Sequence, residues 1–266
     1  METPKSSLKD PSSDQVRQIP SSSDFLLVLF VTAIEWLVYV QRQFWMGALI
    51  LLVTFGFAQF RRHPYARALL VLFVFHLSAA FLSLVPFMLW PVDFFLVGGI
   101  VWLALSRTIG GKATDRWGWR WTKAEWFSII GISVPSLFAL LSYYYFYPGV
   151  AKQWPLPPMP PAAIPIAIIS IAAINGLREE FVYRFILQRF LANSVLPTVA
   201  ILIQASAFGF LHFTKGFPSG YVGVSLTFLF GIALGIQYYW FQSRTLTWIT
   251  HSFVDLIMFT VILMSR

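Results

Sequence analysis

The feature that most constrains this chain is a series of apolar segments that runs almost without interruption from residue 25 to residue 264. Many of these segments reach the roughly 17–25 residues that a helix needs to cross a bilayer. The chain is 58% hydrophobic and only 11% charged, far from the composition of soluble globular domains. The sequence therefore predicts an all-α fold, a polytopic helical membrane protein with about eight or nine transmembrane helices.

Nine hydrophobic segments are visible, and their bounds set the predicted organisation. The first two are short and nearly continuous, so eight spans plus one interfacial segment is an alternative. The segments are 25–41, 44–60, 67–86, 90–106, 124–147, 161–192, 196–213, 221–242 and 245–264. The predicted regions are a disordered tail over 1–24, N-terminal transmembrane helices over 25–152, a Pro-rich extended connection over 153–165, and a catalytic membrane core over 161–264.

Basic residues are distributed unevenly between the two predicted sides of the membrane. With nine spans, thirteen Lys and Arg residues fall on the side of the N-terminal tail and four on the other. The positive-inside rule then places the N-terminus in the cytoplasm, and we expect a prokaryotic inner membrane. The net charge of +8 follows this topology, because no basic patch of the nucleic-acid-binding type is present. The absence of cysteine excludes disulfides and thiolate chemistry.

Three polar groupings interrupt the apolar pattern after residue 170, and each lies in a predicted helix. Ionisable side chains inside a membrane segment are costly, rare and usually functional. The groupings are Glu179-Glu180-x-x-x-Arg184, Phe208-x-x-x-His212 and His251-x-x-x-Asp255.

Helix geometry separates the two adjacent glutamates. Glu180 and Arg184 stand four residues apart with the acid first, which is the favourable order for an ion pair. Glu179 points about 100° away and shares a face with Asn175. We therefore expect Glu180 and Arg184 to have a structural role and Glu179 to face something else.

Residue counts place Glu179 and His212 at similar depth. The two lie about 21 and 24 Å from the predicted turn at 193–196. A carboxylate and two imidazoles in a water-accessible cavity are suited to hydrolysis, because a glutamate can activate water and an imidazole can share the proton or stabilise developing charge.

Each grouping also has a purely structural interpretation. The glutamate–arginine motif is most often an interfacial ion pair, and a single intramembrane histidine often forms a helix–helix hydrogen bond. Three polar residues in other spans, Glu35, His76 and Asp93, are interpreted as packing or boundary residues. The spacing of Gly231 and Gly235 indicates close helix packing.

At these motifs the sequence resembles the CPBP (CAAX protease and bacteriocin-processing, Abi) family of intramembrane proteases, which includes the type II CAAX prenyl endopeptidases. The family carries EExxxR, FxxxH and HxxxN/D motifs on successive core helices, in the order and spacing seen here over about residues 161–264. The resemblance implies a cytosol-facing cavity. In it Glu179 activates water with His212, while His251 and Asp255 stabilise the oxyanion, and Asn175, Glu180, Arg184 and Phe208 support them.

Two positions depart from the family pattern. Phe185 stands where glycine often follows the motif arginine, so the local packing must differ. Asp255 stands where CAAX proteases usually have asparagine, and an ionised aspartate accepts hydrogen bonds and repels an oxyanion. Asp255 is therefore also a candidate to orient His251 or to bind a metal.

The predicted function is a glutamate-type intramembrane endopeptidase that acts on membrane-anchored or hydrophobic protein segments in the lipid bilayer and needs no cofactor. The nearest alternative is a zinc protease with Glu179, His212, His251 and Asp255 as ligands, although the sequence has no HExxH motif. A non-catalytic scaffold or immunity protein and a proton-coupled transporter are the other classes. Against transport, the polar groups form one C-terminal cluster and do not mark a path.

Overall fold

A computed structural model of the chain describes residues 19–84, 92–108, 115–119, 121–149 and 160–264. Nine helical stretches make up nearly all of this part. They are α1 (Ser22–Glu35, continued by a π-helical turn over Trp36–Val40), α2 (Phe44–Phe60), α3 (Ala66–Ser83), α4 (Val92–Leu105), α5 (Lys123–Phe146), α6 (Pro161–Ala192), α7 (Pro197–Lys215), α8 (Gly220–Phe241) and α9 (Arg244–Met264).

The all-α membrane fold is confirmed, and the helices coincide with the nine predicted segments within about three residues at the ends that the structure describes. By length and composition, α1 and α5 to α9 are long and apolar enough to cross a membrane, while α2, α3 and α4 are shorter apolar helices. The chain is therefore an integral, multi-pass membrane protein. The number of eight or nine spans stays a prediction.

The first and fifth helices begin at capping boxes. In α1 the Ser21 hydroxyl accepts from the backbone of Asp24, and the Asp24 carboxylate accepts from the backbone of Ser21. Thr122 and Glu125 make the same reciprocal pair at α5. Because both ends of the motif satisfy backbone groups that a helix start leaves open, the helix can begin there. The cap starts α1 three residues before the predicted start of the first segment at residue 25; residues 1–18 lie outside the described part.

The Pro-rich connection is described only from Pro160. There the chain forms a 3₁₀ turn over Pro161–Ala163 and then enters the α-helical part of α6, Ile164–Glu180. Proline is acceptable in a first turn, because the backbone N–H that it lacks would have no helical partner at that position. The helix thus begins inside the predicted connection 153–165, of which residues 153–159 lie outside the described part.

Helix α6 changes its winding at the glutamate motif. The α-helix ends at Glu180, a π-helix follows over Phe181–Gln188, and a last α-helical turn spans Arg189–Ala192. π-helical segments are rare in proteins, and those that occur are often at functional sites. The motif therefore lies where the helix is locally widened.

Two glycines permit the close helix contacts that surround the site. A Cβ atom on Gly176 would lie 2.8 Å from the hydroxyl of Ser252, so α6 and α9 approach each other there. On α8, a Cβ on Gly231 would lie 3.2 Å from Ala205 and from Phe208 of α7. The packing predicted for the glycine pair of α8 is thereby confirmed at Gly231, and small residues of this kind are typical of membrane helix interfaces.

The N-terminal helices contain a buried ion pair. Glu35 of α1 and His76 of α3 are 0% and 1% exposed, and their Oε1 and Nε2 atoms lie 3.2 Å apart. His76 Nδ1 donates to the carbonyl of Leu72 at 2.9 Å. Glu35 and His76 are thus packing residues but not isolated ones, because each is the partner of the other across two helices.

A short segment before α5 docks on the turn between α8 and α9. Arg116 pairs through its backbone with Gln242 at 2.9 Å and with Arg244 at 3.1 Å. The carboxylate of Asp115 accepts hydrogen bonds from Tyr238 at 2.7 Å and from Arg244 at 2.6 Å. This segment therefore connects α5 to the start of α9, the helix that carries the last motif.

The pH dependence of this docking follows from Asp115. Burial alone would raise the pKa of its carboxyl, but the hydrogen bonds from Arg244 and Tyr238 outweigh it and hold the pKa below the ordinary value of 3.8. A carboxyl with a lowered pKa stabilises the folded state above its unfolded pKa. That stabilisation is lost as the pH falls through the folded pKa.

Asp115→Asn is expected to lower stability at pH 5–7 by about 1.5 kcal/mol, because it removes charged hydrogen bonds. The difference from wild type should shrink as the pH falls below 3.8. Thermal unfolding of both proteins in detergent at a series of pH values measures this. If the stability difference between Asp115→Asn and wild type stayed constant as the pH fell below 3.8, the lowered pKa of Asp115 would be contradicted.

Candidate active site

A cavity of about 290 Å³ lies among α5, α6, α7, α8 and α9. Its polar wall carries the predicted catalytic side chains. Its other walls are apolar and come mainly from α5 and α8, including Pro135, Leu140, Phe230 and Ala233. The residues on the polar wall are Asn175, Glu179, His212, His251 and Asp255. Side chains of the three motifs thus line one cavity, although Glu179 and Asp255 are 76 residues apart in sequence.

Glu179 lies at the edge of this cavity and is held by its neighbour in sequence. The residue is 4% exposed. Its Oε1 accepts a hydrogen bond from Nη2 of Arg178 at 3.2 Å, while Oε2 lies 3.5 Å from Nε2 of His251. One carboxylate oxygen is therefore occupied by a cation and the other faces an imidazole.

His251 stands between carboxylates. Its Nδ1 donates to Oε1 of Glu180 at 2.8 Å, since a carboxylate oxygen can only accept. Its Nε2 lies 3.5 Å from Glu179 and 3.7 Å from Oδ1 of Asp255, too far for strong hydrogen bonds. Phe208 and Phe230 pack edge-on against the ring, with centroids 5.8 and 5.2 Å away. The imidazole is thus fixed in orientation, with Nε2 directed toward the two cavity carboxylates.

Asn175 connects Asp255 to the glutamate helix. Its Nδ2 donates to Oδ2 of Asp255 at 2.9 Å, and its Oδ1 accepts from Nε of Arg178 at 3.0 Å. The face shared by Asn175 and Glu179 is thus the face turned toward α9. Asp255 therefore accepts a hydrogen bond through Oδ2, and its Oδ1 is the oxygen nearest His251.

His212 enters the cavity from α7. Its Nδ1 lies 3.0 Å from the carbonyl of Phe208, an acceptor, so Nδ1 carries a proton and Nε2 is left for the cavity side. The Phe208 ring packs against the imidazole with centroids 5.0 Å apart. The spacing of Phe208 and His212 by one helical turn thus orients the histidine.

Glu180 and Arg184 form the predicted ion pair beneath the cavity. Oε1 of Glu180 and Nη1 of Arg184 are 3.0 Å apart, and both side chains are 0% exposed. The guanidinium also lies over the Phe208 ring, 4.7 Å from its centroid. Because the same Glu180 oxygen accepts from His251, the ion pair supports the imidazole as well as the helix.

The departure at Phe185 has a packing explanation. Its side chain is 2% exposed and contacts the rings of Trp117 and Tyr238, each with centroids 5.7 Å away. Arg244 lies over the same ring at 5.4 Å. Phe185 thus fills the space under the docked segment 115–119, on the side of α6 away from the cavity.

Sequence reasoning missed two residues of the site. Asp93 lies in the first turn of α4, as expected for a boundary residue, but its Oδ1 also lies 3.2 Å from Nη1 of Arg178, a partner that the sequence did not indicate. The three motifs give Arg178 no role. The usable signals were an acid within a predicted span, which needs a partner there, and a cation directly before Glu179.

The zinc alternative can be compared with the geometry of the side chains. Across the described ranges, no group of three or more His, Asp or Glu side chains is arranged to hold a metal ion. His251 Nδ1 is occupied by Glu180 and one oxygen of Glu179 by Arg178. Cofactor dependence therefore stays a matter for experiment.

The fold and the site define a class of protein: a multi-pass helical membrane protein whose buried glutamate, histidines and aspartate share one cavity. Residues 161–257 match the model of the family described as Type II CAAX prenyl endopeptidase Rce1-like. This match confirms the family resemblance predicted from the three motifs and supports intramembrane CAAX-type endopeptidase activity. The chain matches no curated protein and no solved structure.

Proposed function

We propose that this protein is an intramembrane endopeptidase in which Glu179 activates water with help from histidine. The observation that carries the proposal is the convergence of Glu179, His212 and His251 on one cavity whose remaining walls are mostly apolar. Such surroundings strengthen electrostatic interactions and exclude bulk water, which favours hydrolysis by a positioned base.

The proposed reaction begins with a water molecule next to Oε2 of Glu179. The carboxylate takes a proton from the water, and the water oxygen attacks the carbonyl carbon of the scissile peptide bond. The resulting tetrahedral oxyanion collapses, the C–N bond breaks, and the proton on Glu179 passes to the leaving nitrogen. A new carboxyl group and a new amine are the products.

The two histidines have different supporting roles in this proposal. His212 directs Nε2 to the cavity and shares the proton with Glu179. His251 stabilises the developing oxyanion when it is protonated, because Glu180 holds its ring by Nδ1 and leaves Nε2 for the substrate. Asp255, held by Asn175 at 2.9 Å, acts on His251 by its charge, since Oδ1 lies 3.7 Å from that Nε2.

The substrate class follows from the cavity walls and from the family. Apolar side chains of α5 and α8 face the catalytic group, so the substrate segment is hydrophobic and membrane-anchored. The family name adds prenylated C-terminal peptides as a candidate class. We also propose a cytoplasmic N-terminus, which the distribution of basic residues favours, and a prokaryotic inner membrane as the location.

Cleavage of membrane-anchored peptides by the purified protein in detergent tests the proposal. The library includes prenylated and unprenylated members, and the variants are wild type and Glu179→Gln, both shown to be folded. We expect wild-type cleavage that is lost in the variant and unaffected by a chelator. Chelator-sensitive cleavage would support the zinc alternative. No cleavage, with a partner protein retained by both forms, would support a scaffold.

A larger side chain in the cavity is expected to block the substrate. Ala233→Phe adds a ring to the wall opposite the catalytic residues and is expected to raise KM at least about tenfold, equivalent to about 1.4 kcal/mol of binding. The matched control is Ile236→Phe, on the same helix and 37% exposed outside the cavity lining. Steady-state kinetics compare the two, and equal KM values would contradict the proposed binding site.

A further inference from the structure

Arg178 contacts both Glu179 and Asn175 of the cavity wall, and all three of its guanidinium nitrogens have a partner. Nη2 donates to Glu179 at 3.2 Å, and Nε donates to Asn175 at 3.0 Å. Nη1 donates to Asp93 at 3.2 Å. The Arg178 side chain is only 11% exposed, so these contacts set its position.

Helix α4 holds this guanidinium from the opposite side. Asp93 supplies a carboxylate that is itself 11% exposed, and the ring of Phe94 lies under the cation, 4.2 Å from centroid to Cζ. A buried cation is costly unless charge and hydrogen bonds compensate it, and the ring face contributes to that compensation. Asp93 and Phe94, two successive residues of α4, thus hold the guanidinium of Arg178 in place.

The contacts among these side chains form a closed ring that includes Glu179, the proposed base. One arm of the ring runs from Arg178 to Glu179 and then to His251, whose Nε2 lies 3.5 Å from Oε2 of Glu179. The other arm runs to Asn175 and then to Asp255, 2.9 Å apart. His251 and Asp255 close the ring at 3.7 Å. A shift of Arg178 therefore moves both arms at once.

We propose that Arg178, held by its ion pair with Asp93, is the positioning residue of the active site. Helix α4 thereby completes a site whose other members lie within residues 161–257. The inference rests on the proposed function. It adds a requirement for the N-terminal helices, because Asp93 lies outside the region that matches the family.

The proposed positioning depends on how the Arg178 guanidinium divides its hydrogen bonds between Asp93 and Glu179. Arginine and a carboxylate tend to pair through two parallel hydrogen bonds. Here Asp93 takes Nη1, and Glu179 receives only Nη2. Oε2 of Glu179 is thereby left on the side of His251. Without Asp93, the guanidinium turns onto both Glu179 oxygens and holds the base away from water.

Steady-state kinetics of Arg178→Gln and Asp93→Asn test this role. Arg178→Gln is expected to lower kcat roughly 10²-fold and Asp93→Asn about tenfold, because small displacements of a catalytic group have effects of this size. KM should stay unchanged, since neither residue lines the cavity. Asp93→Glu, which restores the carboxylate, should recover part of the lost kcat. The double variant should be no slower than Arg178→Gln alone, because Asp93 acts through Arg178.

The matched control is Glu35→Gln, which removes another buried N-terminal carboxylate paired with a single side chain, His76. It is expected to affect stability without changing kcat. Wild-type cleavage and its loss in Glu179→Gln are established first, and their absence would reject the proposed function itself. If both hold and Arg178→Gln or Asp93→Asn keeps the wild-type kcat, the positioning role is rejected. Equal losses of kcat in Glu35→Gln and Asp93→Asn would also reject it, as a general packing effect.

Discussion

Replacement of Glu179 by glutamine is expected to lower kcat about 10³-fold while the protein keeps its fold, because the amide cannot accept the proton from water. The glutamine oxygen can still accept from Nη2 of Arg178, so the contact that Glu179 makes at 3.2 Å is retained. The change thus removes the base and leaves the shape of the cavity in place.

Single-turnover and steady-state cleavage rates of Glu179→Gln against wild type measure this effect. Glu125→Gln is a suitable control, since Glu125 is 1% exposed and glutamine also serves in its capping box with Thr122. It should cleave at the wild-type rate. A Glu179→Gln protein with more than a tenth of wild-type kcat would contradict the role of Glu179 as the base.

Glu180→Gln is expected to have the largest effect on stability, lowering the free energy of unfolding by about 3–5 kcal/mol. Both Glu180 and Arg184 are 0% exposed, and the variant leaves the guanidinium buried without its carboxylate. The Phe208 ring and the carbonyl of Gly231, at 3.4 Å, remain as its partners but carry no negative charge. The adjacent glutamates are therefore predicted to differ in role: Glu179 takes part in the reaction, while Glu180 stabilises the fold and holds the ring of His251.

Thermal unfolding in detergent compares Glu180→Gln, Glu179→Gln and the double variant Glu180→Leu/Arg184→Leu. Replacing both partners of a buried pair by apolar residues is often neutral, so the double variant should recover most of the lost stability. It should not recover activity, because Nδ1 of His251 loses its acceptor. Equal stability of Glu180→Gln and wild type would show that the pair does not hold the helix.

Several parts of the site were predictable because they depend on spacing along one helix. The pairing of Glu180 with Arg184 follows from a separation of four residues, and it persists although the helix widens into a π-helix at Phe181. The separation of Glu179 from that pair follows from the same geometry. The motif order then indicated that His212 and His251 would join Glu179, and all three line one cavity.

Contacts between helices that are distant in sequence were not predictable in this way. Asp93 and Arg178 are 85 residues apart, and Glu35 and His76 lie on different helices of the N-terminal half. Periodicity shows which face of a helix is polar but not which neighbour it meets. Asp93, Glu35 and His76 looked isolated in sequence, and each has a partner on another helix.

The sequence by itself determined that this chain is a multi-pass helical membrane protein, where its helices lie, and which polar side chains of a motif share a helix face. These properties depend on apolar length and on helical spacing, which are local. Only the tertiary structure decided that Arg178 joins both arms of the site and that Asp93 of α4 holds it. The reason is physical: a buried charge takes whichever partner packing brings within about 3 Å, and packing depends on all the helices together.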